Sequence, residues 1–225
     1  MGSGSDFTAF QDFAGIPSLS MGFGFAPDSA IYHYHSNYDS YSWMTRFGDP
    51  DFSYHKTIAQ IWGIVAAKLV DSPVIPFNAT NYAKALVRYT EDAKRKAVRK
   101  LEGNPDSTPP IDPDELFSDL FSALEDFMVS CLALDIHSQA LTQTLHDNPI
   151  PWWKFWEKLK LFYEIRQVNT QYKLLERGFL YEKGLDGRSW FKHVVFAPGK
   201  WTGYSGAVFP GIVEGNAARI EEGKV

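Results

Sequence analysis

Residues 113–146 read PDELFSDLFSALEDFMVSCLALDIHSQALTQTLH. Leu116, Leu120, Leu124, Phe127 and Cys131 recur at spacings of three and four, so one face of the stretch is apolar at the period of an α-helix. Asp114 and Glu115, or Glu125 and Asp126, could be read as paired carboxylates for acid–base work. Their helical positions make them ordinary capping or solvent-facing residues instead.

Neighbouring segments share this character. Residues 78–102 predict a second helix, with Tyr82, Leu86, Tyr89, Ala93 and Ala97 inward and Lys94, Arg95, Lys96, Arg99 and Lys100 outward. GNPDSTPPIDP, residues 103–113, separates the two helices. PIPWW introduces a third helix over 151–178. Three long amphipathic helices with short connections predict an antiparallel bundle. The apolar stripes are wide, so a further helix or a second chain is expected to cover part of them. Two-fold pairing through 113–146 and 151–178 is the simplest closure.

Upstream, residues 12–24 (DFAGIPSLSMGFG) predict a short strand, and residues 25–50 a long polar and aromatic loop. A helix is expected from Pro50 to Val70, with Asp49 as N-cap and Ile58, Ile61, Trp62, Val65 and Leu69 on one face. Pro73 and Pro76 break the pattern, which places a domain boundary at residues 72/73. Downstream, KHVVFAP predicts an extended run, and GKWTGYSG a glycine-rich aromatic loop able to approach a ligand.

The chain of 225 residues is 44% hydrophobic and 16% aromatic, ample for a packed core. A net charge of -5 argues against nucleic acid as a partner. The single cysteine, Cys131, lies in an apolar run and reads as a small core residue. The basic run KRKAVRK, interrupted by acids nearby, reads as a solvated helix face. No phosphate-binding glycine loop, CxxC pair or nucleophile elbow is present. Asn78-Ala79-Thr80 is an N-glycosylation sequon, a triplet that also arises by chance.

The sharpest cluster is IYHYHSNYDSY, residues 31–41. His33 and His35 alternate with Tyr32, Tyr34 and Tyr38, and Asp39 follows. Imidazole is the commonest metal ligand, a nearby carboxylate can fix its tautomer, and a tyrosine can donate to developing negative charge. The alternative is an edge strand or loop of polar and aromatic residues with solvated histidines, which spacing alone favours because H-x-H is a weak signal.

Several stretches, in order, carry a resemblance: GSGSDFTAFQDFAGIPSLSM, YHSNYDSY, DPDFSYHKTIAQIWG, VIPFNATNYA, LLERGFL, RSWFKHVVFAP and YSGAVFPGI. Together they resemble the glutamate carboxypeptidase II-like zinc peptidases, a family that includes the transferrin receptor as a non-catalytic relative. The resemblance implies a mainly α fold. A helical, transferrin-receptor-like dimerisation domain at residues 73–225, with its last helix missing, would follow part of an α/β zinc-peptidase domain at residues 1–72. It also implies a piece of a longer protein of the secretory pathway, vacuolar or cell-surface, with its membrane anchor upstream.

Residue by residue, the resemblance makes His35 a zinc ligand and Tyr34 the tyrosine that hydrogen-bonds the tetrahedral intermediate. Ser3, Gly4 and Ser5 match the loop lining the substrate pocket, so GSGSD, which by composition alone could be a cloning linker, reads as native. Tyr204 matches a tyrosine that contacts the substrate's terminal carboxylate. The family's two pocket arginines fall at Ser20 and Gly22, and its pocket lysine at Gly203, so a preference for acidic peptides is not implied. One histidine cannot hold the family's two zinc ions, so the chain alone is expected neither to hold zinc tightly nor to hydrolyse peptides. The expected role is a part of a zinc-dependent carboxypeptidase that acts on a peptide substrate and pairs as a homodimer. The alternative is a non-catalytic, receptor-like dimerisation and partner-binding module.

Overall fold

The computed structural model describes residues 4–24, 26–102, 112–147, 150–200 and 205–214. The chain divides into two compact units, one taking in residues 1–18 with 73–225, the other residues 19–72. Residues up to 18, placed upstream of the boundary by sequence, thus pack with the helical part.

The fold is mainly α. In the larger unit, α3 (Ala79–Glu102), α4 (Pro113–Asp147) and α5 (Phe155–Leu174) are the long helices. The central one, α4, packs against both α3 and α5. After α5 the chain tightens into a 3-10 turn, Leu175–Phe179. It then forms a small antiparallel pair, β1 (Phe196–Pro198) with β2 (Gly206–Val208), in the register Phe196↔Val208. The end of the KHVVFAP segment, Phe196–Pro198, is therefore extended as its pattern predicts, while Val194 and Val195 form a bend.

Two clusters make the core. Leu86, Ala93 and Ala97 of α3 meet Phe117 and Leu124 of α4, Phe196 of β1, and Val195 and Phe209 beside the β pair. Ala79 and Ala83 meet Cys131 and Leu141 of α4, Val168 and Tyr172 of α5, and Val74. Small residues on α3 let the helices approach closely. Each large buried aliphatic side chain contributes roughly 1.5–3 kcal/mol. Burial also pushes the Cys131 thiol up to about 11, with the nearby Asp135 adding to the effect, so this cysteine is an inert core residue.

The inner face of α4 corrects one expectation. Leu116 is 50% exposed, while its neighbour Phe117 is 2% exposed. Phe117, Leu124, Cys131 and Ser138 are buried at intervals of seven residues, and Asp135 and Leu141 are buried beside them. A seam repeating every seven residues keeps this row against α3, and Leu116 falls about 100° off it.

The third helix is also shorter than its pattern suggested. Residues 151–154 form a turn closed by the Lys154 N–H on the Pro151 carbonyl at 3.1 Å. At the other end the 3-10 turn carries Glu176 into the interior.

Residues 12–24 do not form a strand. Ala9–Phe13 is a single π-helical turn, and the described residues from 15 to 24 have no regular structure. The Asp12 carbonyl accepts both Lys192 and His193 N–H at 2.9 Å, which pins the chain there. Gly15 follows at φ +60, with Arg177 and Leu180 so close that a Cβ would press on them. A strand needs a ladder partner for its N–H and C=O groups, and the described residues provide none for this stretch.

In the smaller unit, a short helix α1 (Tyr41–Trp43) runs into a π-helical turn, Met44–Gly48, ahead of α2 (Ser53–Asp71). The expected apolar face of α2 is half-buried at Ile58 and Val65 and open at Ile61, Trp62 and Leu69. The nominal N-cap is Phe52, with φ +55 and no side-chain cap. Asp49 nonetheless caps the helix from further back. Its carboxylate accepts the Tyr54 N–H at 3.3 Å and the His55 N–H at 2.9 Å.

Candidate functional site

Residues 33–39 fold into consecutive turns. The Ser36 N–H and hydroxyl both donate to the His33 carbonyl, and the Asp39 N–H donates to the Ser36 carbonyl. His35 sits in this run at φ +61, a left-handed conformation costly for a residue with a Cβ and one that concentrates at functional positions. That backbone brings the His35 ring against Tyr34, with centroids 3.9 Å apart and planes 21° from parallel. Both side chains are exposed.

Around the pair, the Tyr32 hydroxyl donates to Asp39 Oδ2 at 3.0 Å, a bond that pushes the phenol's pKa up. Tyr32 also packs on Trp43, at 5.2 Å, which ties the loop to α1. His33 faces Tyr38 at 5.7 Å. The two histidines therefore have different surroundings, as strict alternation would not have told.

Behind this loop lies a cavity of about 480 Å³, bounded by Phe23, Tyr32, Trp43, Tyr54 and the His55–Asp49 pair among others. His55 Nδ1 lies 2.6 Å from Asp49 Oδ2. Burial alone would raise the Asp49 pKa. The His55 ring and the His55 and Tyr54 N–H groups outweigh it and hold the carboxyl at about 2. Sequence reading gave Asp49 a capping role but missed its partner. The signal was the spacing of DPDFSYH, which sets a histidine on the first turn after the aspartate.

The remaining expected site residues are more dispersed. Gly4 stands at φ +104 and Ser5 is exposed, its carbonyl accepting the Thr8 N–H and hydroxyl. Both belong to the larger unit, whereas Tyr34 and His35 belong to the smaller one. Ser20 and Gly22 are exposed, and nothing lies within 4 Å of a Cβ added at Gly22. Ser3, Gly203 and Tyr204 lie outside the described residues. Asn78 is exposed and its side-chain oxygen accepts the Asn81 N–H at 2.7 Å, capping α3.

Gly199, Lys200 and Ser205 are held by a clamp that sequence reading missed. Arg188 donates to both oxygens of Glu214, at 2.9 and 2.8 Å, and to the Pro198 carbonyl at 2.5 Å. Glu214 in turn accepts the Lys200 N–H at 3.0 Å, and the Gly199 N–H donates to the Ser205 carbonyl at 2.8 Å. Beneath it, His193 is fully buried. Its Nδ1 accepts from the Val195 and Phe196 N–H groups, so Nε2 carries the proton and donates to Glu176 at 2.7 Å. The Tyr82 hydroxyl reaches the same Glu176 oxygen from α3 at 3.3 Å, and the half-buried, carboxylate-facing phenol is pushed well above its ordinary pKa.

Comparison with known proteins gives this arrangement a setting. Residues 115–222 match the family described as transferrin receptor-like dimerisation domain. A probable glutamate carboxypeptidase of Arthroderma benhamiae is 35% identical over 99% of this chain and 28% of its own length. The probable glutamate carboxypeptidase LAMP1 of Arabidopsis thaliana is 31% identical over 94% of this chain and 26% of its own length. The aminopeptidase NAALADL1 of Rattus norvegicus is 29% identical over 98% of this chain and 27% of its own length. The chain thus spans little more than a quarter of these relatives' length. It belongs to the glutamate carboxypeptidase II-like family and includes that family's transferrin receptor-like dimerisation domain.

Proposed function

We propose that this chain is part of a zinc-dependent carboxypeptidase, in which it lends one metal ligand, part of the substrate pocket and the surface for homodimerisation. The observation that carries the reading is the exposed Tyr34–His35 pair, held side by side by a left-handed backbone at His35.

A two-zinc site needs several His and acidic ligands around a shared centre. Among the described residues no group of three or more such side chains comes together. His35 would serve as one ligand among others contributed by the rest of the whole protein. Tyr34 would donate its phenolic proton as a hydrogen bond to the anion formed at the scissile carbonyl. Ser3, Gly4, Ser5 and Tyr204 would border the substrate. Neutral Ser20 and Gly22 give no cation for an acidic side chain, so a preference for acidic peptides is not part of this reading. Asn78 would carry a glycan if the whole protein passes through the secretory pathway to a vacuolar or cell-surface membrane.

The test is metal content and turnover in the whole protein. His35→Ala should roughly halve bound zinc, read by atomic absorption, and abolish peptide hydrolysis. Unchanged zinc in that variant would overturn the role of His35. A wild-type protein that dimerises and neither binds zinc nor cleaves peptides would favour the non-catalytic reading, for which the neutral pocket positions speak.

A further inference from the structure

The start of α5 exposes an aromatic ridge that the peptidase reading leaves unused. Trp152, Trp153, Phe155, Trp156, Phe162 and Tyr163 are 81%, 67%, 60%, 77%, 56% and 55% exposed. They touch mainly one another, edge to face: Trp152 with Trp153 at 6.0 Å, Phe155 with Trp156 at 5.5 Å, Phe162 with Tyr163 at 5.8 Å. The opposite face of the helix holds Val168 and Tyr172 in the core, so the ridge is not a misplaced inner stripe. Aromatic side chains bury about 150–250 Å² each. More than half of six such surfaces comes to roughly 500 Å² or more, at the upper end for a single apolar patch on a monomer.

We infer that this ridge docks on an anionic lipid surface, lying in the headgroup region rather than crossing the bilayer. Three features of the patch choose this occupant. At 100° per residue, Phe155, Trp156, Phe162 and Tyr163 span an arc of about 120°, with Lys158 and Lys160 each about 40° beyond its two edges. Lysines flanking an aromatic face on both sides suit a headgroup layer, where the rings enter the acyl boundary and the ammonium groups stay among phosphates. Residues 150–166 hold Lys154, Lys158, Lys160 and Arg166 against Glu157 and Glu164, a local +2 in a chain of net charge -5.

The indoles add the second feature. None of Trp152, Trp153 and Trp156 donates its N–H to any of the described residues. A ring with an apolar body and an unspent donor is the side chain favoured at the membrane–water boundary.

The third feature weighs against pairing of α5 with itself on this ridge. Under either two-fold pairing of α5 with itself, a lysine-bearing edge meets a lysine-bearing edge. Glu157 and Glu164 offer little relief, since they already pair with Lys154 at 2.8 Å and Lys160 at 3.8 Å. Lysine is depleted in protein–protein interface cores for this reason.

The experiment is co-flotation of the 225-residue chain with phosphatidylcholine vesicles, with and without about a third phosphatidylserine. The comparison variants are a triple change, Trp152→Ala, Trp153→Ala and Trp156→Ala, and a charge reversal, Lys154→Glu, Lys158→Glu and Lys160→Glu. Circular dichroism checks that both keep their helices, which is expected because all six side chains point away from the core. The inference predicts flotation with the anionic vesicles, at least tenfold weaker binding to phosphatidylcholine alone, and at least tenfold loss in each variant. No flotation with either vesicle, or flotation that the tryptophan variant leaves intact, overturns it. So does a wild-type chain that stays off vesicles yet self-associates in sedimentation through the same tryptophans, which would assign the ridge to a second copy. Equal binding to both vesicle types overturns the choice of an anionic surface.

Discussion

The Asp135 carboxylate of α4 accepts the Tyr172 hydroxyl of α5 at 2.7 Å. The same carboxylate accepts the Ala79 and Thr80 N–H groups at 3.0 and 2.8 Å, so one buried side chain joins three helices and caps α3. Burial pushes its pKa upward, but the bonds from Thr80, Tyr172 and Ala79 prevail and hold it below the usual carboxylate range. Its contribution is therefore present above the ordinary aspartate pKa and is lost as acid protonates the group in the folded chain. Hydrogen bonds to a charged group contribute about 1.5–3 kcal/mol each. Asp135→Ala should cost on the order of 4 kcal/mol or more and Tyr172→Phe about 1–3 kcal/mol, read as shifts in urea midpoint at constant slope.

Asp12 should give the opposite pH dependence. It is fully buried, neither carboxylate oxygen has a hydrogen-bond partner, and burial raises its pKa to about 6. From about pH 4 to 6 the folded chain holds a proton that the unfolded chain releases, so stability falls as pH rises through this window. A shift of about two units corresponds to at most about 3 kcal/mol. Asp12→Asn should remove that slope, measured as urea midpoints at pH 4.5 and pH 7.

Arg188 and Glu214 should govern the protection of the main chain at Gly199 and Lys200. Arg188→Ala removes the donors to Pro198 and Glu214 and frees the carboxylate that holds the Lys200 N–H. Hydrogen exchange at Lys200 and Gly199 should rise at least tenfold, while amides of α4 keep their protection. In the whole protein, under the peptidase reading, the same variant should raise KM more than it lowers kcat.

Tyr34→Phe separates the proposed chemistry from metal binding. It removes one hydroxyl from an exposed ring and leaves the stack on His35. In the whole protein, zinc content should be unchanged while kcat falls about 100- to 1000-fold, the usual cost of losing one donor to a developing oxyanion. An unaltered kcat would remove Tyr34 from the mechanism.

Gly184 tests the turn before Trp190. It adopts φ +70, and a Cβ there would overlap the backbone of Ser189. Gly184→Ala should destabilise the larger unit by about 2 kcal/mol or more, because the obstructing atoms are main chain and the 184–188 turn must open. Thermal unfolding followed by circular dichroism would show it.

Much of this was legible from residue order alone. The helical periods of 78–102 and 113–146 announced α3 and α4, because an amphipathic helix writes its buried face at a spacing of three and four. The run KHVVFAP announced its extended segment, and Cys131 its core position. The run of motifs from GSGSD to YSGAVFPGI announced the family, which the relatives bear out. Periodicity, however, records only that a face is apolar, not which neighbour covers it. Leu116 and Phe117 are equally apolar in sequence, and only contact with Leu86 and Phe196 decided that Phe117 goes inside.

The polar interior lay beyond sequence reading for a related reason. Asp135 is 37 residues from Tyr172 and 56 from Ala79, and Glu176 is 94 from Tyr82. A buried carboxylate is tolerable only when donors converge on it, and convergence is a property of three-dimensional packing. Residues 12–24 show the converse. Their pattern suits a strand, yet a strand exists only with a partner. The sequence alone determined the helices, the apolar faces and the family. Tertiary structure decided which polar groups those helices enclose and how, since hydrogen bonds between distant residues exist only once packing has brought them together.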